Sequence, residues 1–269
     1  MKLNIKQDEI VHGTFAHEIV VPAKLKERKR TGVGFVDDMY GGRGMTPSTV
    51  TLLTGTPGAG KTTLALELAE SLTDQGHVCL FNTCEESVYQ AKATVERLGL
   101  TGNFYIGQDS LIDATWKEMV AKNRRDEPSV LEHARLIMAK HPDQQFFLIC
   151  DSLQTLDDGK YHDYAINQKT NVRVLGRITE FCKSQYSIAI MIGQVGKDGK
   201  FSGENKLKHM VDCHAHLFYD EDPDSDDYGT RYFSMNKNRF GYSGRTYALR
   251  IGEKGLRPKG AAGGLMKAA

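Results

Sequence analysis

The sequence contains few of the residues that mark disulfide-rich or zinc-binding proteins. Its 269 residues include one tryptophan, seven prolines and five cysteines, and no two cysteines form a Cys-x-x-C pair. An odd number of scattered cysteines, most within apolar stretches, favours buried reduced thiols over a disulfide framework or a zinc site. These cysteines are Cys79, Cys84, Cys150, Cys182 and Cys213.

Long apolar runs and an excess of charge are also missing. No apolar stretch approaches the roughly 20 residues of a membrane-spanning helix, and the first residues lack the apolar core of a signal peptide. The formal net charge is +1, so contact with nucleic acid would depend on a local basic patch. We therefore expect a cytoplasmic, globular protein that does not associate with membranes.

Residues 55–62 form a complete phosphate-binding loop, Gly-Thr-Pro-Gly-Ala-Gly-Lys-Thr. In this pattern glycines let backbone N–H groups face phosphate oxygens, Lys61 reaches the β and γ phosphates, and Thr62 holds Mg²⁺. Residues 50–53 predict a buried strand before the loop, and leucines at helical spacing predict a helix over residues 61–74 after it. An accidental glycine-rich turn is the alternative.

The loop and the first helical turn should contact the nucleotide together, because a helix N-terminus carries positive partial charge. The sequence therefore predicts that ATP and Mg²⁺ are bound here. The expected nucleotide contacts are Gly55, Thr56, Pro57, Gly58, Ala59, Gly60, Lys61, Thr62 and Thr63.

Apolar strands and helices alternate along the chain, which predicts a parallel sheet covered on both faces. Further strands are predicted at residues 77–81, 104–106, 146–150 and 188–192, and further helices at 87–98 and 172–181. Strand-like segments at residues 213–219, 231–237 and 247–251 are joined by tight turns. The predicted fold class is therefore α/β, with a mostly parallel central sheet, flanking helices and an antiparallel C-terminal extension.

Several polar residues follow predicted strands at the edge of the sheet where the phosphate loop lies. Asp151 would bind the water shell of Mg²⁺ or Thr62. Glu85 or Glu86 could deprotonate the attacking water, although a carboxylate that only stabilises a helix N-terminus is the alternative for each. Gln194 could sense the γ-phosphate through its amide or simply end its strand.

Residues 220–227 contain five aspartates and one glutamate. Such a cluster could bind a cation, but a solvated hairpin loop is the better interpretation. The proline in this segment and the excess of like charges both fit a turn in water.

Short motifs along the chain carry a resemblance to a known family. They are Thr31-Gly32, Gly41-Gly42, the phosphate loop, Cys84-Glu85-Glu86-Ser87 with Gln90, Arg97-Leu98-Gly99, Asp151-Ser152-Leu153-Gln154-Thr155 and Lys237-Asn238-Arg239-Phe240-Gly241. In this order, from about residue 28 to residue 255, they resemble the RecA-type ATPase core of the bacterial RadA/Sms DNA repair family. The Lys-Asn-Arg-Phe-Gly run is the most discriminating, because phosphate loops occur in many families.

The resemblance implies a RecA-like P-loop NTPase fold, DNA-stimulated ATP hydrolysis and a homo-oligomeric ring or filament. It also implies that the side chains of Lys237 and Arg239 act on the γ-phosphate of a neighbouring subunit. Surface ion pairing is the alternative role for these two residues. The expected catalytic residues are Lys61, Glu85, Glu86, Gln194, Lys237 and Arg239.

The resemblance further implies DNA contacts from residues 157–169 and 195–208, which face a central channel or filament axis in RecA-like proteins. The second segment combines lysines with glycines, a composition that suits a mobile loop on the phosphates of single-stranded DNA. Ordinary surface lysines are the alternative. The candidates are Lys197, Lys200, Lys206 and Lys208.

The sequence also departs from the RadA pattern. RadA proteins carry an N-terminal four-cysteine zinc module and a C-terminal Lon-protease-like domain, and neither is recognisable here. Residues 194–197 read Gln-Val-Gly-Lys, whereas RadA proteins usually have His-Val-Thr-Lys at this place. In this stretch the sequence is closer to the RecA pattern than to the RadA pattern. We therefore expect a stand-alone core that would suit a phage or mobile-element recombination protein.

We divide the chain into an N-terminal extension over residues 1–27, an ATPase core over residues 28–256 and a flexible tail over residues 257–269. In the extension, Phe15 and residues 19–21 could dock on a neighbouring subunit or pack on their own chain. Residues 24–30 are basic and are interpreted as a solvated linker.

The leading functional hypothesis is an ATP-driven DNA recombination or branch-migration motor. A nucleotide-switched regulator similar to KaiC, which controls a protein partner and ignores DNA, is the alternative from another class. A replicative helicase core of the DnaB type is a third. The sequence does not decide between a ring and a filament.

Overall fold

The computed structural model describes residues 13–113, 129–159, 168–194, 204–260 and 265–266, and its ten strands form one sheet. The strands are β1 (Val50–Gly55), β2 (Val78–Thr83), β3 (Tyr105–Gly107), β4 (Phe146–Asp151), β5 (Ile188–Gln194), β6 (Cys213–Tyr219), β7 (Arg231–Asn238), β8 (Thr246–Gly252), β9 (Gly255–Pro258) and β10 (Leu265–Met266). Their order is β10-β8-β7-β6-β1-β5-β4-β2-β3, with β9 also paired to β8.

Strands β1 to β6 run parallel, with β1 between β5 and β6. Strands β1, β2 and β4 are buried along their whole length, as apolar strands covered on both faces should be. Strands β7 to β10 add to β6 and β8 in antiparallel pairs. The predicted α/β fold with an antiparallel extension is confirmed.

Helices cover both faces of this sheet. The α-helices of the described residues are α1 (Ala23–Lys26), α2 (Gly34–Met39), α3 (Lys61–Asp74), α4 (Val88–Arg97), α5 (Val130–Lys140), α6 (Gln168–Gln185) and α7 (Glu204–Met210), and α1 has no buried residue. Buried side chains of α2, α3 and α4 pack on one face, and those of α5, α6 and α7 pack on the other. Ser87 begins α4 through reciprocal hydrogen bonds with Gln90, which fixes the chain just after Glu85 and Glu86.

The structure differs from the sequence prediction where the apolar pattern is weak. Residues 204–208, predicted as loop, belong to α7, a helix of seven residues in which Leu207 is fully buried. Such a short polar helix offers too few apolar repeats to be recognised. Within the predicted tail, residues 257–258 belong to β9 and Leu265–Met266 form β10, and both strands pair with β8.

Residues 15–21 of the predicted N-terminal extension carry apolar side chains at the surface. Phe15, Ile19, Val20 and Val21 are 71, 50, 85 and 47% exposed. They are therefore not packed against the described part of their own chain. None of the described helices is long and apolar enough to cross a membrane.

Candidate functional site

The phosphate loop follows the carboxyl end of β1 and is pressed against neighbouring strands. Gly55 has no room for a side chain, because a Cβ atom there would lie 1.9 Å from the carbonyl oxygen of Leu217 on β6. Gly60 precedes α3 with a φ of +102°, in the left-handed region that favours glycine. A Cβ atom at Gly60 would lie 3.2 Å from Cδ1 of Ile251 on β8. The sheet therefore fixes the shape of the loop.

Lys61 lies inside this loop. Its Nζ donates hydrogen bonds to the carbonyl oxygens of Gly55 and Thr56, each at 2.9 Å. Burial lowers the pKa of Lys61, and the carboxylates of Asp151 and Glu85 oppose that shift. Because its partners are neutral carbonyls, the ammonium group can form a stronger, charge-assisted hydrogen bond with a phosphate oxygen.

Thr62 and Asp151 meet beside the first turn of α3. The Thr62 hydroxyl donates to Oδ2 of Asp151 at 2.5 Å. Burial raises the pKa of Asp151 to about 6, the Thr62 hydrogen bond and Lys61 lower it, and Glu85 and Glu86 raise it. Carboxylate and hydroxyl oxygens are ligands that Mg²⁺ prefers. The predicted Mg²⁺ residues fit that ion, because a cation would offset the burial of the charged carboxylate.

Glu85 and Gln194 meet at the same edge of the sheet. Nε2 of Gln194 donates to both carboxylate oxygens of Glu85, at 2.8 and 2.7 Å. Both residues are exposed, so water can reach the carboxylate. Glu86 is held through its backbone, which forms hydrogen bonds with the Thr83 hydroxyl at 3.2 and 3.0 Å. Of the two glutamates, Glu85 is the one that contacts Gln194.

Two residues beside this site were not predicted. Gln154 lies on the 3₁₀ turn Leu153–Thr155 and donates from Nε2 to the carbonyl oxygen of Gln194 at 2.9 Å. Tyr219 ends β6, with its hydroxyl 3.9 Å from where a Cβ atom of Gly58 would lie. The sequence could have indicated Gln154, because it belongs to the family motif that begins at Asp151. No motif or spacing in the sequence singled out Tyr219.

Lys237 and Arg239 lie at the opposite edge of the sheet from the phosphate loop. Strand β7 runs antiparallel to β6 and ends beside Cys213, the first residue of β6. The loop instead follows the last residue of β1. Strand register puts Lys237 level with Leu52 and Asn238 level with Thr51, about 10 and 13 Å before Gly55 along the strands and two strands away from it, about 10 Å to the side. These two cations are therefore too far from the phosphate loop of their own chain to act there.

Both cations have partners within the chain. Arg239 pairs with the buried carboxylate of Asp212, with 3.0 Å between its Nη1 and Oδ1. Nζ of Lys237 donates to three carbonyl oxygens at the carboxyl end of α7, at 2.9, 3.4 and 2.8 Å. These oxygens belong to Lys208, His209 and Val211. Nothing in the sequence pattern indicated this helix cap, because α7 itself was not predicted.

The structure describes two of the four lysines that were predicted to contact DNA. Lys206 is exposed and Lys208 is half-buried, and both lie on α7. The prediction that they lie in a loop is therefore wrong. Lys197 and Lys200 lie outside the described residues, as do residues 160–167 of the other predicted DNA-facing segment.

The acidic residues 220–227 form turns between β6 and β7. Oδ1 of Asp220 and Oδ1 of Asp222 each accept a hydrogen bond from the backbone two residues ahead, at 3.0 Å, and Asp227 pairs with Lys259. Among the described residues, no three His, Cys, Asp or Glu side chains are placed to hold a metal ion. Residues 220–227 thus lie in the hairpin loop that joins β6 to β7, as predicted.

The five cysteines are free thiols. Four of them are buried and Cys84 is partly exposed, in agreement with the predicted reduced state. Burial raises the pKa of the Cys84 thiol to about 12. The side chain next to Glu85 therefore carries a proton at neutral pH.

Comparison with known proteins places these features in a family. A family model described as ATPase: KaiC matches residues 29–258. The DNA repair protein RadA of Aquifex aeolicus (strain VF5) is 29% identical over 239 residues, which cover 86% of this chain and 46% of that protein. The chain thus spans less than half the length of this relative.

Solved structures share the fold at low sequence identity. A DnaB-like replicative helicase matches with a TM-score of 0.66 and 17% identity, over 83% of this chain and 59% of that one. A KaiC-like protein of Pyrococcus horikoshii matches with a TM-score of 0.62 and 20% identity, over 86% of this chain and 97% of that one. These matches confirm the predicted RecA-like fold, and the RadA match confirms the resemblance to a RadA-type core.

The family model covers nearly all of the predicted core, including the phosphate loop and every catalytic residue predicted from the sequence. The prediction of an ATP-hydrolysing enzyme is confirmed. The chain belongs to the KaiC ATPase family.

Proposed function

We propose that this protein is a RadA-type motor that binds single-stranded DNA and uses ATP to support strand exchange or branch migration. The observation that carries the proposal is that Glu85, Gln194 and Asp151 lie at or just after the carboxyl ends of three strands, where Gln194 binds Glu85 and Asp151 binds Thr62 of the phosphate loop. The relative from Aquifex aeolicus is named a DNA repair protein. That name favours DNA over a protein partner as the ligand that ATP hydrolysis serves.

Each residue of the site has one role in this proposal. The backbone of residues 55–63 and the Lys61 ammonium bind the β and γ phosphates. Thr62 and Asp151 hold Mg²⁺, which supplies positive charge beside the phosphates. Glu85 takes a proton from the attacking water, and Gln194 orients the γ-phosphate end of the nucleotide. Glu85 is preferred to Glu86 because it contacts Gln194.

The site is completed by a second copy of the chain. Lys237 and Arg239 are too far from their own phosphate loop, so any action on ATP must be on the nucleotide of a neighbour. A head-to-tail arrangement brings these two edges together and generates a ring or a filament. The exposed apolar segment from Phe15 to Val21 would be covered by a neighbouring copy in the same assembly.

DNA binding relies on the lysines that follow β5. Lys206 and Lys208 place positive charge on α7, and Lys197 and Lys200 belong to the same stretch of chain. Phosphate contacts would release counterions, so DNA affinity should fall with salt by a slope of about 0.7 per phosphate neutralised. Little base specificity is expected from such contacts.

The test compares Lys61→Ala with Glu85→Gln, with and without single-stranded DNA. Lys61→Ala should weaken both ATP binding and hydrolysis, because it removes the cation inside the loop. Glu85→Gln should keep ATP binding and lose turnover by at least about 100-fold, because the amide cannot accept the proton. Wild-type turnover should rise when DNA is added.

The control is Glu86→Gln, which should hydrolyse ATP normally. Loss of turnover in Glu86→Gln but not in Glu85→Gln would show that Glu86, and not Glu85, is the general base. ATP hydrolysis that ignores DNA, in a protein that does not bind DNA, would instead favour the regulator similar to KaiC. Unwinding of a forked duplex would favour the DnaB-like helicase core, whose fold this chain shares.

A further inference from the structure

Glu85 lies beyond the part of the sheet that could fix its position. Strand β2 ends at Thr83, two residues before the carboxylate. Glu85 and Gln194 are both exposed, so their mutual hydrogen bond competes with water and contributes little rigidity. A general base must nevertheless lie within about 3 Å of the proton it accepts. Other contacts must therefore hold the backbone that carries Glu85.

Asn82 supplies the first of these contacts. It is fully buried, and its amide pairs with both backbone groups of Asp109. Nδ2 donates to the Asp109 carbonyl oxygen at 2.9 Å, and Oδ1 accepts from the Asp109 N–H at 3.1 Å. A Cβ atom at Gly107 would lie 2.8 Å from this Oδ1, so glycine leaves room for the pair. The end of β2 is thus joined to the chain that follows β3.

Cys84 supplies the second set of contacts. Its thiol donates to the Asp109 carbonyl oxygen at 3.0 Å and accepts from Nδ2 of Asn82 at 3.1 Å. Its backbone N–H donates to the carbonyl oxygen of Asp151 at 2.8 Å. The residue before Glu85 is therefore bound both to the chain after β3 and to the end of β4.

Asp109 is itself anchored. Its carboxylate lies 2.5 Å from Nδ1 of His133 on α5. The three residues Asn82, Cys84 and Asp109, named here the strand-end clamp, therefore connect the peptide of Glu85 to a helix and to two neighbouring strand ends.

We propose that Asn82 and Cys84 are positioning residues for ATP hydrolysis, and that the strand-end clamp sets the distance of Glu85 from Asp151. This inference rests on the proposed role of Glu85. Displacing a catalytic group by about 1 Å can reduce the rate about 100-fold. The clamp touches no residue of the phosphate loop, so its loss should lower kcat and leave nucleotide affinity unchanged.

The test uses matched substitutions at Cys84 in the full chain. Cys84→Ala removes the donor and the acceptor but keeps the backbone bond to Asp151. We expect kcat to fall by about 10- to 100-fold while KM and the Kd of a non-hydrolysable ATP analogue stay within about two-fold. Cys84→Ser should recover most of the rate, because a hydroxyl also donates and accepts. Asn82→Asp, which keeps the shape but loses both N–H donors, should behave like Cys84→Ala.

A double substitution separates positioning of Glu85 from general weakening of the fold. In the Glu85→Gln background, Cys84→Ala should cause no further loss in single-turnover rate, because the group it positions is already gone. Additive losses, or failure of Cys84→Ser to recover the rate, would overturn the inference. If the Glu85→Gln single variant hydrolysed ATP at the parent rate, Glu85 would not be the base. This measurement does not involve Cys84, so failure of the proposed base can be distinguished from failure of the clamp.

Discussion

Asp151 is buried in the fold, although burial disfavours the charged form of its carboxylate. Its side chain is 5% exposed, and burial is the main cause of its raised pKa, about 6. An acid whose pKa is raised on folding binds its proton more tightly in the native state. Ionised Asp151 therefore lowers the stability of the native state, and a bound cation would remove this penalty by offsetting the buried charge.

The cost predicts how stability depends on pH. The ordinary pKa of this carboxyl is 3.8 and the folded value is about 6, a difference worth about 3 kcal/mol at most. The stabilisation from the raised pKa is present below pH 4 and is lost as pH rises through 6. Asp151→Asn, which has no charge to bury, should therefore be more stable than the parent at pH 7.5 but not at pH 4.

Urea unfolding at both pH values checks this expectation, with a chelator present and nucleotide absent. Asp227→Asn provides the contrast, because the hydrogen bond from Lys259 lowers the pKa of that exposed carboxylate. Relative to the parent, this variant should therefore be less stable at pH 7.5 than at pH 4. An equal difference between Asp151→Asn and the parent at both pH values would contradict the argument.

Helix α7 shows how one side chain can hold a short element in place. A helix of seven residues is too short to be stable by itself in water. Its last carbonyl groups lack partners within the helix and carry partial negative charge, which a lysine can satisfy. Lys237 does so from β7, through its three hydrogen bonds. The strand that precedes Arg239 is thereby joined to the helix that bears Lys206 and Lys208.

Lys237→Met should release the end of α7, because it keeps the apolar stem and removes all three donors. We expect a loss of about 1–2 kcal/mol in the free energy of unfolding and faster amide hydrogen exchange over residues 207–211. Lys206→Met is the matched control, since Lys206 is an exposed lysine of the same helix. Equal protection of these amides in the Lys237→Met variant and the parent would show that the cap is unimportant.

The start of the segment that was predicted as a flexible tail, residues 257–258 of β9, is joined to the rest of the fold for a similar reason. The Glu67 carboxylate on α3 accepts hydrogen bonds from the backbone of Leu256 and from the Arg257 guanidinium. Leu256 and Ile251 also lie against Gly60 of the phosphate loop. Strands β8 and β9 therefore support the loop, and the small residues that follow them in sequence concealed this role.

At the scale of the whole molecule, the two parts of the proposed catalytic site lie at opposite edges of one sheet. The phosphate loop follows β1, and Arg239 follows β7 at the other edge. In the proposed assembly, the site is completed by contact with another copy in a head-to-tail arrangement. Activity should then depend on protein concentration.

Arg239→Ala should bind ATP and lose most turnover, because charge on the γ-phosphate of the neighbour is no longer neutralised. Mixing it with Lys61→Ala subunits should restore about one quarter of the active sites, since each restored site needs a different variant on each side. Steady-state ATPase assays of the mixture measure this. Arg97→Ala, which removes an exposed arginine at the end of α4, is the control. This variant should hydrolyse ATP at the parent rate. Concentration-independent hydrolysis by a monomer would contradict the shared site.

Features of this protein that depend on a local pattern were predictable from the amino-acid sequence. The phosphate loop is fixed by the spacing of its glycines and lysine, and α3 was predicted over its observed residues, Lys61–Asp74. Strand β6 was predicted over Cys213–Tyr219 and found there. In each case the backbone requirement or the apolar repeat lies within a short window, so neighbouring residues suffice to specify it.

Contacts between side chains that are distant in the sequence became visible only in the folded chain. Gln194 and Glu85 are 109 residues apart in the sequence and in contact in the fold. The partners of Lys237 lie on a helix too short to leave a periodic signal, and the clamp on Cys84 depends on the order of β3, β2 and β4 in the sheet. Such contacts follow from strand order and register, which result from packing over the whole chain and cannot be read from any local window.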